Sequence, residues 1–147
     1  MIDVNIVYDV DSKADIKDNS FNKICEKIFH DKNHEEANIT LILSGDEKLR
    51  ELKNTFFQKD VFTDVITFNL EEAGDPIEGE IYISLNQVSE NAKEYNQDIG
   101  KELKRVIIHG ILHLSGYDDQ TQEEKHTMTC LEDHYLGQSI VSDQINL

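Results

Sequence analysis

Positive charge is what this chain most lacks. It carries 14 lysines and arginines against 30 aspartates and glutamates, a formal charge of −16 at pH 7. Such a field repels polyanions at long range, so nucleic acid cannot be held by general electrostatics. Any RNA-directed role then needs a local basic patch, a metal ion or a protein partner. Cysteine is scarce too: Cys25 and Cys130 are the only two, and neither belongs to a CxxC pair. Two thiols make no disulfide framework, and both are expected to be free and buried in a reducing compartment. No apolar run approaches the roughly 18 residues that span a bilayer, which argues against a membrane protein. The stretch Met1–Tyr8 is acidic and alternating, without the basic and long apolar regions of a signal peptide, so the cytoplasm is the expected location. The single proline, Pro76, lies in the loop-like stretch from Glu71, too short for a domain linker. Repeats and low-complexity tracts are missing. What remains, 147 residues of which 38% are hydrophobic, fits one domain over 1–147 around one core.

Hydrophobic spacing supplies the elements. Ile2 to Tyr8 alternates and reads as a strand, as do Asn38 to Leu43, Val65 to Leu70 and Glu80 to Leu85. Phe21, Ile24, Cys25, Ile28 and Phe29 recur at helical spacing within Asn19–Phe29. Asp46 is placed to cap a helix running to about Phe56, with Leu49, Leu52 and Phe56 inward. Asn86 to Tyr95 and Asp98 to Ser115 read as helical runs with a kink near Gly100. Thr121 to Leu136 is a last helix, with Met128, Leu131 and Tyr135 inward. Strands cluster in the first half and helices flank them. The expected fold is α+β, a mixed sheet of about four strands flanked by helices.

The informative segment is Val106 to Asp119. Positions 106 to 114 are apolar nearly all round, apart from two histidines and a glycine, which describes a central buried helix. His109 and His113 are four apart and project from one face, so two imidazoles can reach one ion. Gly116 is suited to stop the helix and let the chain bring back a third ligand, with Asp118 and Asp119 as candidates. Three protein ligands with an open fourth position define a hydrolytic zinc site, in contrast to a closed structural one. The residue after His109 is Gly110, not the glutamate of the HExxH pattern, so metalloprotease chemistry lacks its base.

At these residues the chain resembles the YbeY family of metal-dependent endoribonucleases. The family signature H-G-x-L-H-L-x-G-Y-D-H is matched by His109-Gly110-Ile111-Leu112-His113-Leu114-Ser115-Gly116-Tyr117-Asp118-Asp119 at every fixed position but the last. Thr63-Asp64-Val65-Ile66-Thr67-Phe68 and Gly79-Glu80-Ile81-Tyr82-Ile83-Ser84 are similar to two further family segments, T-D-V-L-S-F and G-[DE]-I-x-I-S. The resemblance implies a zinc-protease-like metal site at the end of the sheet. It also implies cleavage of single-stranded RNA, not DNA, in 16S rRNA 3′-end maturation and ribosome quality control. By family register the metal ligands are His109, His113 and Asp119, with one zinc ion as cofactor; Asp118 matches the family's own aspartate. Asp119 replaces a neutral histidine with an anion, which makes bound water less acidic and admits harder metals. The position of a family arginine falls on Phe57, with Lys59 the nearest cation. Thr67 and Asn69 replace a serine and a proline.

For the general base, Asp64, Glu80 and Asp118 are the candidates, although each also reads as a turn, cap or solvated strand position. Lys104 and Arg105, in a basic run with Lys101, could meet phosphate, but a solvated first helical turn is the plainer reading. His30 and His34 repeat the four-residue spacing at a frayed helix end, which argues against a second site. His126 is expected on a polar face of the final helix, which also carries His134. The implied partners are rRNA, the small ribosomal subunit, and basic ribosomal proteins or assembly factors suited to the negative charge. Two rival functions stand beside the nuclease. One is a non-catalytic ribosome-assembly factor with a structural metal. The other is a metal-dependent hydrolase of another substrate.

Overall fold

The computed structural model describes residues 1–9, 15–16, 18–137 and 145–146. In chain order the elements are β1 (Ile2–Tyr8), β2 (Asp15–Ile16), α1 (Asp18–Asp31), β3 (Ala37–Ser44), α2 (Asp46–Phe57), β4 (Val65–Asn69), β5 (Ile77–Ser84), α3 (Leu85–Glu94), α4 (Ile99–Ser115), α5 (Gln122–Leu136) and β6 (Ile145–Asn146). Four strands form one sheet in the order β1-β3-β5-β4; β1, β3 and β5 run parallel and β4 is antiparallel to β5. The fragments β2 and β6 pair antiparallel to each other. The expected α+β class and mixed four-stranded sheet are what the chain forms.

Strand alternation sorts the sheet into two unlike faces. One face carries Ile2, Val4, Ile39, Leu41, Ile81 and Ile83, all buried in the main core with Ile24, Ile28 and Phe29 of α1. On it lies α4, which touches β4, β5, α1, α3 and α5 and buries residues from Leu103 to Ser115. The approach is close because Gly110 has no side chain: a Cβ there would meet Ile81 Cγ2 at 2.9 Å and Thr67 Cγ2 at 3.3 Å. The other face carries Glu78, Glu80, Phe68 and Tyr82, and α2 covers part of it through a fully buried Leu49.

Several local expectations change. The N-cap of α2 is Gly45, not Asp46; the Asp46 carboxylate instead accepts the Ser84 hydroxyl at 2.5 Å. Ser84 is itself the N-cap of α3, so one hydroxyl joins the starts of two helices. Phe56 is 59% exposed, because α2 offers it only the edge of Phe68. Leu131 is half-buried, whereas Met128 and Tyr135 are buried as expected. The two helical runs expected between residues 86 and 115 form as α3 and α4, divided at 95–98 with Asp98 capping α4, so the break precedes Gly100. Cys25 is free and buried, but Cys130 is exposed on α5, with its Sγ 3.6 Å from Nε2 of an equally exposed His126. The side chain of Phe21 lies outside the described residues.

Candidate metal centre

The turn after α4 builds the site. Gly116 has φ +119°, a conformation that glycine adopts without a Cβ penalty. Its N–H donates to the His113 carbonyl at 3.1 Å, and the Tyr117 N–H donates to the Leu112 carbonyl at 3.0 Å. These paired bonds are a Schellman ending, which reverses the chain toward the helix it has just left. The reversal puts the Tyr117 carbonyl where His113 Nδ1 donates to it at 3.1 Å, and returns Asp119 to the two histidines.

Three ligand atoms converge. His109 Nε2 and His113 Nε2 are 3.0 Å apart, and Asp119 Oδ2 lies 3.4 and 3.3 Å from them. This is the one group among the described residues whose ligand atoms could hold a metal ion. A tetrahedral ion with bonds of about 2.0–2.2 Å separates its donor atoms by about 3.3–3.6 Å, so the triangle fits with little adjustment. The donor chemistry fits as well. His109 Nδ1 faces the Glu132 carboxylate at 2.7 Å and His113 Nδ1 faces a carbonyl, so each Nδ1 must carry the proton. Both Nε2 lone pairs and an anionic oxygen then point at one spot, which repels itself unless a cation lies there.

Glu132 is the functional residue that the sequence reading missed. It is 7% exposed on α5, and its other oxygen accepts Arg105 Nη1 at 3.0 Å. Arg105 Nη2 continues to Asp133 at 2.7 Å. A carboxylate behind a ligating histidine fixes its tautomer and orientation and raises its basicity. Burial disfavours charge on His109, but Glu132, Asp119 and Asp64 outweigh it and raise the ring above the ordinary imidazole value. The signal was in the sequence: Glu132 falls on the same stripe of α5 as Met128, Leu131 and Tyr135.

The group opens into a cleft of about 460 Å³ lined by Lys53, Phe57, Asp64, Thr67, Asp118 and Gln120 along with the three ligand candidates. Asp64 and Asp118 therefore share the cleft, but Asp118 is exposed and stays out of the converging triangle. Burial pushes the Asp64 carboxyl up, opposed by His109, by nearby backbone groups and by Asn91, whose Nδ2 donates to it at 3.1 Å. Glu80 does not join them. Its cross-strand partner is Phe68, on the face of the sheet turned away from α4. Lys101 is exposed, Lys104 is half-buried, and Arg105 is held by Glu132 and Asp133 rather than free for phosphate. His30 is exposed at the end of α1, while His34 Nε2 lies 3.0 Å from the Ser115 carbonyl, so the two do not form a second centre.

An α+β domain in which two histidines of a buried helix meet a carboxylate from the turn that follows it defines a candidate metallohydrolase. The comparisons make the class specific. The family model described as Endoribonuclease YbeY matches residues 7–139, and the chain belongs to that family. A relative from Chlorobaculum tepidum named Endoribonuclease YbeY is 42% identical over 100 residues, 68% of this chain and 72% of its own. A second so named, from Chloroherpeton thalassium, is 34% identical over 134 residues, covering 91% of this chain and 94% of its own. A Thermotoga maritima protein known from its solution structure is similar in fold, with a TM-score of 0.61, 31% identity, and coverage of 96% of this chain and 89% of that one. Among the described residues no helix is long and apolar enough to cross a membrane.

Proposed function

We propose that this chain, as one metallohydrolase domain over 1–147, is a metal-dependent endoribonuclease specific for single strands. It would act in the cytoplasm on 16S rRNA 3′ ends and in ribosome quality control. The observation that carries the reading is the convergence of His109, His113 and Asp119 within 3.0–3.4 Å beside an open cleft, in a chain of this family. These three residues would hold one ion, best fitted by zinc, although the carboxylate also suits harder metals. When bound, the ion supplies Lewis-acid polarisation of a phosphoryl oxygen and a lowered pKa for water.

The remaining work falls to the chain. Glu132 and the Tyr117 carbonyl orient the two rings. Asp64 lines the cleft with its carboxylate held by Asn91, which places it to accept a proton from water. Asp118 lines the same cleft but is exposed and stands outside the converging triangle. Lys53 is the cleft's cation for a phosphate. At the other end of β4 and β5, a cavity lined by Asp3, Glu36, Glu71, Glu72 and Glu78 suits basic ribosomal proteins as partners. The test is incubation of metal-loaded protein with single-stranded rRNA beside His113→Ala. Cleavage lost in the variant supports the reading. A filled site with no cleavage by the parent would favour an assembly factor whose metal is structural.

A further inference from the structure

Four of the six phenylalanines lie between residues 56 and 68, and three of them face solvent: Phe56, Phe57 and Phe62 are 59%, 43% and 50% exposed. Leaving three such rings in water forgoes the stabilisation that burial supplies, and contiguous exposed rings mark an interaction surface. Phe56 and Phe57 both pack on Phe68, with centroids 5.2 and 6.2 Å apart, and the Phe57 plane is inclined only 25° to it. Cations decorate the rings. Lys53 Nζ sits 4.9 Å from the Phe57 centroid, and the Arg50 guanidinium 5.0 Å from that of Phe62. Arg50 also pairs with Asp60, which pins the loop carrying Phe62 against α2. Residues 52–59 hold two lysines and no acid, a rare local balance in a chain of −16. The surface runs into the metal cleft, because Phe57 and Lys53 line it.

We propose that this aromatic shelf is the strand-binding surface of the enzyme: bases of single-stranded RNA stack on Phe57 and on Phe56, which shares its packing on Phe68, with Phe62 set beyond them against Arg50. Lys53 meets a backbone phosphate, and the adjoining phosphate is presented to His109, His113 and Asp119. The proposal rests on the endoribonuclease reading and says how an acidic protein grips a polyanion. Stacking on a neutral ring needs no counterion release, so it works where net charge opposes binding. It also selects single strands, since bases in a duplex have no free faces. The salt dependence should be shallow. Each phosphate neutralised on a single strand contributes a slope of about −0.7 in log K against log salt, so Lys53 and Lys59 together set a limit near −1.4.

The chain has no tryptophan, so Phe57→Trp gives a one-indole protein. Binding of an unstructured 12-nucleotide RNA is measured with the full-length chain and in a His113→Ala background that prevents turnover, with circular dichroism to check folding. The expected results are indole quenching on RNA addition, affinity for Phe57→Trp within about twofold of the parent, and about tenfold weaker binding for Phe57→Leu. Unchanged emission with RNA bound, or parental affinity in Phe57→Leu, overturns the shelf; cleavage that still depends on His113 would then leave the endoribonuclease reading standing. A parent that neither binds nor cuts RNA overturns both. A parent dimer in sedimentation that Phe56→Ser or Phe62→Ser dissolves also overturns it, assigning the rings to contact with a second copy.

Discussion

Helices α4 and α5 meet at the candidate metal centre but contribute to it in opposite ways. From Leu103 to Ser115, α4 is buried along most of its length, and it presents two histidines at the one place where it reaches the cleft. On α5, only Met128, Glu132 and Tyr135 are buried, and one of those three is an acid that sets the tautomer of a histidine on its neighbour. Placement of the ligand atoms comes from the hydrophobic helix, which packing holds rigid. The orientation of one of them, His109, comes from the polar helix, through one carboxylate kept out of water. Changes on α4 should therefore remove the site or the fold, and changes on α5 should detune it.

The largest effect is expected from α4 itself. His113→Ala should cut metal affinity by more than about 100-fold, beyond the cost of losing a supporting carboxylate; isothermal titration with zinc measures this. Next comes the supporting carboxylate. Glu132→Gln keeps the shape of the side chain and should lower metal affinity roughly 10- to 100-fold, while loss of the partly buried pair with Arg105 also lowers thermal stability. Equal losses in the two variants would erase the division of labour between the helices.

Smaller effects concern the frame. Gly116→Ala forces a Cβ onto a positive-φ position and should cost about 2 kcal/mol. In a protein of this size that lowers Tm by roughly 4–8 °C, readable by calorimetry. Gly110→Ala combines overpacking against Ile81 with a gain in helix propensity, and should cost about 1 kcal/mol.

The smallest effect concerns the anchor of α5. The Tyr135 hydroxyl donates to Asp31 at 2.7 Å, and this bond, helped by Lys27, holds the Asp31 carboxyl below its ordinary value against burial. A depressed carboxyl stabilises the fold above its unfolded value, near pH 3.9, and loses that contribution as pH falls through the folded value. With Asp31 largely exposed, Tyr135→Phe should cost about 1 kcal/mol or less at pH 7. Denaturation at both pH values should show the difference from the parent shrinking below about pH 4.

The same contrast decides what could be read from the residues alone. A helix apolar on nearly every side announces its burial, and two histidines four apart announce a shared face, so α4 and its pair were legible. Asp119 over Asp118 came from family register; the Schellman turn at Gly116 is what brings the Asp119 oxygen to the rings. Glu132 went unread because its partner lies 23 positions earlier, and only the packing of α5 on α4 joins them. Glu80 failed as a base candidate for a related reason. Alternation says that neighbouring strand residues take opposite faces, but not which face receives α4. Phe56 has correct helical spacing, yet spacing cannot tell whether a partner covers it.

The most direct measurement is metal content and zinc affinity of the chelator-free protein compared with Asp119→Asn and Asp118→Asn. One ion per chain in the parent is expected, with affinity sharply reduced in Asp119→Asn and retained in Asp118→Asn. A parent that holds no stoichiometric ion after zinc addition, or a loss that follows Asp118 instead, would contradict the centre built from His109, His113 and Asp119.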